Sequence, residues 1–104
     1  MDQTIALEIS KTYLSRLKKN NFNFSDVWLF GSFARGNQHE NSDIDLAIVM
    51  NDNNPITFEK EVEFMTCRKG EDTLIEPHIF SKQDFDSSEP LVYQIKKYGL
   101  LINI

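Results

Sequence analysis

Cys67 is the only cysteine among 104 residues. No disulfide can form within the chain, and a reducing compartment, the cytoplasm, is its natural setting. With no histidine near it in sequence and a predicted helix around it, Cys67 reads as a small packed side chain rather than a nucleophile. Positive charge is scarce too. Eleven Lys and Arg face sixteen Asp and Glu, a formal net charge of -5. Bulk binding to nucleic acid relies on clustered cations, so this balance argues against it. The lysine doublets Lys18-Lys19 and Lys96-Lys97 are expected on solvated helix faces. A single bound nucleotide stays compatible with the charge, because a bound metal offsets it locally. Long apolar runs are missing as well. Asp2 and Glu8 interrupt the N-terminal stretch, so neither a signal peptide nor a membrane span is expected. There is no linker, repeat or low-complexity tract, and residues 1–104 are expected to form one domain.

What is present suffices for one modest core: 40% hydrophobic and 12% aromatic residues. Ile5, Ile9, Tyr13 and Leu17 recur at every fourth position, which predicts an amphipathic helix over 3–19, ended by Asn20-Asn21. Val27–Phe30 predicts a buried strand stopped by Gly31, and Ser32–Arg35 a helical turn closed by Gly36. The polar stretch 36–42 is a loop before a second strand, Asp43–Met50. After a turn at 51–54, Asn54-Pro55 suits a helix start, with Phe58, Val62 and Met65 as its buried stripe and Gly70 as its end. A third strand is predicted over Thr73–Phe80, with Pro77 requiring an edge position or a bulge. Ser87 or Ser88 is expected to cap a last helix with Leu91, Val92 and Ile95 inward and Gly99 as its stop. Leu100–Ile104 is apolar enough for a short final strand packed on the core, or else for an interface. The expected class is α/β (α+β), a small mixed sheet covered by helices.

The chemistry concentrates in the stretch GSFARGNQHENSDIDLAIVM. Gly31 follows a strand, and a glycine lets a phosphate approach the backbone closely. The Ser32 hydroxyl can donate to a phosphate oxygen, and Arg35 can reach one. Residues two apart in a strand share a face, so Asp43 and Asp45 project together while Ile44 points away. Two like charges at the start of a buried strand repel and lose solvation, so they call for a cation. Oxygen ligands beside a phosphate suit magnesium. Either half of this stretch alone is commonplace; their co-occurrence carries the argument. His39, in the loop, is expected to be exposed, and neither His39 nor His78 has zinc-site spacing.

Gly31-Ser32, a ten-residue spacer from Phe33 to Ser42, and Asp43-Ile44-Asp45 together resemble the signature of the nucleotidyltransferase superfamily related to DNA polymerase beta, and in particular its minimal nucleotidyltransferases. Residues 27–50 carry the specific match, and the stretch LIEPHIF with the closing helix and Gly99 is looser but consistent. The resemblance implies the polymerase beta-like fold and transfer of a nucleoside monophosphate, AMP from ATP, to a hydroxyl acceptor. It implies two Mg2+ ions held by Asp43, Asp45 and a third carboxylate on a neighbouring strand. Glu76 is the candidate and Asp72 its competitor; His78 shares a face with Glu76, which allows either a place lining the pocket or an ordinary surface or hydrogen-bonded histidine. Gly31, Ser32 and Arg35 would bind the phosphates. The resemblance further implies an antitoxin whose partner is a helical HEPN-type toxin, modified on a tyrosine; the sequence leaves open a homo- or hetero-oligomer. Two alternatives are a binding antitoxin or assembly subunit without catalysis, and a nucleotidyltransferase acting on an antibiotic.

Overall fold

The computed structural model describes all of residues 1–104. Helix α1 spans Gln3–Lys19, with Asp2 accepting from the Ile5 amide as N-cap and Arg16, Lys18 and Lys19 in its last turn, both favourable to the helix dipole. Strand β1 is Phe24–Phe30, and a short helix α2, Ser32–Arg35, follows it. Strand β2 is Ile44–Met50, helix α3 Phe58–Thr66, and a 3-10 turn covers Gly70–Leu74. Strand β3, Ile75–Phe80, leads into a one-turn helix α4, Lys82–Phe85; helix α5, Pro90–Tyr98, and the two-residue strand β4, Leu100–Leu101, close the chain.

The sheet order is β3-β2-β1-β4. β1 runs antiparallel to β2 and β4, whereas β2 and β3 run parallel, so the sheet is mixed as expected. Alternation along the strands assigns two faces. Val27, Leu29, Ile44, Leu46, Ile48 and Ile75 are buried with α1, Phe33 of α2 and Phe64 of α3. Ala47 and Val49 are buried on the other face with Phe85 of α4 and Val92 and Ile95 of α5, flanked by Trp28, Phe30 and Phe80. The Tyr13 hydroxyl donates to the Phe64 carbonyl and ties α1 to α3. Tyr13 is fully buried, and burial chiefly, reinforced by the neighbouring Cys67 and Asp72, pushes its hydroxyl well above the ordinary 10.0.

β3 is an edge strand, as Pro77 requires, and the Arg68 guanidinium donates to the Ile75 carbonyl at 3.0 Å. Cys67 is half-buried at the C-cap of α3 rather than inside the helix, and packs against the larger core. No helix is long and apolar enough to cross a membrane.

Several local expectations are corrected. Ile5 is exposed, and Ala6, Ser10 and Leu14 complete the inner face of α1, the Ser10 hydroxyl being satisfied by the Ala6 carbonyl at 2.7 Å. β1 begins three residues earlier than expected, with a bulge between Phe24 and Asp26. α3 begins after Thr57, whose side chain accepts from the Lys60 amide at 3.1 Å. Asn54 is instead held in the preceding turn, its amide donating to Asp52 Oδ1. The stripe Phe58, Val62 and Met65 faces solvent, and Phe64 alone is buried. Gly70 opens the 3-10 turn in the positive-φ region rather than ending α3. That turn takes up residues expected at the start of β3. α5 starts after Glu89, because Pro90 at its first position needs no N–H partner; Ser87 and Ser88 lie before the cap. Leu91 is half-exposed rather than inward. In the tail, Ile102 enters the core while Leu101 and Ile104 stay exposed.

Candidate active site

The ends of three strands bring Asp45 and Glu76 side by side, next to the turn at Gly31. β1 ends at Phe30, which pairs with Asp45 near the start of β2, and Asp45 pairs in turn with Glu76 near the start of β3. Ile44 is fully buried on the opposite face, so Asp45 projects on the side of Ala47 and Val49, as alternation predicts. Asp43 lies one residue before β2 and is exposed.

Gly31 turns the chain from β1 into α2 with φ 76° and ψ -153°, a conformation essentially confined to glycine. A Cβ at this position would run into a carboxylate oxygen of Asp45. The glycine therefore does two things: it makes the turn and it leaves the space in front of Asp45 open. Ser32 begins α2, and the Arg35 amide donates back to the Gly31 carbonyl at 3.2 Å. Gly36 closes the turn in the left-handed region.

Asp45, Glu76 and His78 each offer one donor atom, and the three atoms lie within 4.8 Å of one another. His78 Nε2 stands 3.3 Å from Asp45 Oδ1. The His78 ring packs against Phe30 in a T-shaped contact with centroids 5.0 Å apart. Asp43 is outside this group. Two carboxylates and an imidazole, Glu76 exposed and Asp45 and His78 half-buried, are a donor set that suits a divalent cation with places left for other oxygens.

Asp72, the competitor for the third carboxylate, is buried and far from this chemistry. It forms an ion pair with Arg16 and accepts from the Lys69 amide. His39 is exposed in the loop before Asp43, with its Nδ1 accepting from the Asn41 amide at 3.2 Å.

Beside the carboxylates, Phe30, Gly31, Arg35, Leu91, Gln94 and Tyr98 line a cleft of about 280 Å³. Arg35 thus lines this cleft together with Gly31. The three residues from α5 were not singled out as site residues. Their spacing of three and four marks one helix face, but Leu91 alone suggested a core position, and only the docking of α5 on β1 shows that this face borders the cleft.

A model of the family described as Polymerase beta, Nucleotidyltransferase matches residues 12–103. A protein of Methanocaldococcus jannaschii assigned as a protein adenylyltransferase is 36% identical over 50 residues, 48% of this chain and 50% of that one. The chain thus spans half the length of that relative. A structure from Sulfolobus solfataricus, assigned as a nucleotidyltransferase, superposes with a TM-score of 0.69 at 21% identity, covering 95% of this chain and 80% of the other. A mutant of the toxin-antitoxin MntA-HpeT superposes with a TM-score of 0.63 at 20% identity, covering 89% and 71%. A toxin-antitoxin with AMP-PNP gives 0.61 at 22% identity, covering 86% and 68%. At these identities the structural likenesses establish the fold.

Proposed function

The chain belongs to the polymerase beta nucleotidyltransferase family, and we propose on that basis that it transfers AMP from ATP to a hydroxyl acceptor, a tyrosine on a HEPN-type toxin, and so acts as an antitoxin. The acceptor class draws support from the relative assigned as a protein adenylyltransferase and from the toxin-antitoxin structures with this fold. The single observation that carries the reading is the packing of Gly31 against Asp45 with Glu76 alongside. Phosphate space and metal donors meet at one point.

In this reading Asp43, Asp45 and Glu76 would hold two Mg2+ ions. Bound there, the ions would supply charge neutralisation of the triphosphate and activation of the acceptor oxygen. The chain's own residues do the rest. Gly31 and Ser32 take the terminal phosphates and orient the pyrophosphate that leaves. Arg35, at the mouth of the cleft, adds a contact to a phosphate oxygen. Glu76, which is exposed and next to Asp45, would help take the proton of the acceptor hydroxyl. The charge across the strands is held in place before substrate arrives, which is where electrostatic catalysis gains most.

The test is incubation of the purified protein with Mg2+ and radiolabelled ATP, with and without the helical partner. Label on the partner that disappears with Asp45→Asn is expected. Tight complex formation with bound nucleotide and no label on any acceptor would sink the catalytic reading.

A second reading has its own observation. Phe58, Val62 and Met65 form a solvent-facing apolar stripe on α3, suited to holding a partner by contact alone. If the double variant Asp43→Asn, Asp45→Asn still neutralises the partner fully, binding rather than transfer is the function.

A further inference from the structure

His78 is the one donor at the site that the phosphate-and-carboxylate scheme leaves without work. It stands two residues beyond Glu76 on the same face of β3, opposite Ala47 of β2. Its side chain is about one-third exposed and that of Asp45 about one-quarter, so both are reachable from the opening. The Phe30 ring meets the imidazole edge-on and fixes its plane. Nε2 is the ring atom that faces Asp45, at 3.3 Å from Oδ1. That separation is long for a hydrogen bond, whose usual value is about 2.9 Å. It is close to the spacing of two neighbouring ligands on one ion: bonds of about 2.1 Å at right angles place donors roughly 3 Å apart.

We propose that His78 is a direct ligand of the cation held by Asp45 and Glu76, and that its nitrogen tilts this site from Mg2+ toward a first-row transition ion. The inference rests on the carboxylates being the metal site, as read above, and goes beyond it in donor set and metal class. Mg2+ is a hard ion that prefers an all-oxygen shell and keeps its waters. An imidazole in the shell adds little for Mg2+ and strengthens binding of first-row ions, which accept nitrogen readily. Phe30 holds the ring in place, so little conformational freedom is lost on binding.

Mn2+ is the probe of choice, because pulsed electron paramagnetic resonance detects the nitrogen of a directly bound imidazole. The chain has two histidines, so the assignment is unambiguous. The Mn2+-loaded protein is expected to show that nitrogen coupling, to lose it in His78→Phe, and to keep it in His39→Ala. In competition titrations, the Mg2+ needed to displace half the Mn2+ should fall at least tenfold in His78→Phe. His78→Gln, which restores an oxygen donor, should fall between that variant and the native chain.

Mn2+ bound in an Asp45-dependent manner without nitrogen coupling would overturn the role of His78 and leave the carboxylate site standing. Mn2+ binding unaffected by Asp45→Asn would overturn the carboxylate site itself, and the proposal with it. The coupling is read first in the unaltered protein, and circular dichroism melts of the Asp45 and His78 variants are compared with it before their Mn2+ binding is.

Discussion

One face of the sheet carries sixteen buried residues in a single cluster under α1, α2 and α3; the other carries five under α4 and α5. Asp45, Glu76 and His78 belong to the second face. The difference is one of division of labour. A thick apolar layer tolerates charge only when it is paired, as Asp72 is with Arg16. A thin layer that stops short of the strand ends leaves carboxylates in contact with water and substrate. The larger cluster can therefore hold the strands in register while the smaller one leaves the chemistry accessible.

Substitutions on the two faces should separate stability from activity. Asp45→Asn, on the thin face, is expected to lower nucleotide transfer on the order of 10³-fold, the scale of losing a charge-stabilising group, with an unchanged melting temperature. Unchanged transfer in a folded variant would remove the contrast altogether. On the thick face, Phe64→Ala should cost about 3–5 kcal/mol of stability by denaturant unfolding, because its side chain is fully buried. Its transfer rate per folded molecule should stay near native.

Gly31→Ala tests the seam between the faces. Backbone strain should cost about 1–3 kcal/mol. The added methyl group, pressed on Asp45, should reduce transfer as well, which an assay of the folded fraction will show. Val92→Ala, in the smaller cluster, should cost about 1–3 kcal/mol, less than Phe64→Ala. A larger loss there would show that the thin face carries more stability than its size suggests.

The smallest effect belongs to Tyr13. Its hydroxyl is held above its ordinary value in the folded chain, so at high pH the unfolded chain ionises first and binds fewer protons. Stability should be fully present below pH 10 and fall as pH rises above it. Melts across that range should show a shallower decline for Tyr13→Phe.

Much of this was legible in the sequence where a pattern was local. Gly31-Ser32 followed by Asp43 and Asp45 announced the family, and alternation from Ile44 to Met50 placed Asp45 on its face. Pro77 announced an edge. The misread stripe of α3 shows where periodicity fails. Phe58, Val62 and Met65 have helical spacing, yet the helix is oriented by Phe64 and by the Tyr13 hydroxyl that meets its carbonyl, partners 51 residues apart. The sequence favoured Glu76 over Asp72, but the pairing of Glu76 with Asp45 rests on strand register and the burial of Asp72 on Arg16, neither of which a one-dimensional pattern contains. The cleft wall from α5 required the docking of that helix. Long-range pairing decides what local spacing leaves open.

The edge strand β3 carries one more consequence. At its free side an incoming strand would find no N–H at Pro77 and a carbonyl at Ile75 already engaged by Arg68. The opposite edge, β4, is only two residues long. Neither border offers a template for recruiting strands from another molecule, so the sheet is protected from fibril-like growth. Helices and loops are the surfaces left for a partner to meet, and contact there leaves the strand pairing of the sheet untouched.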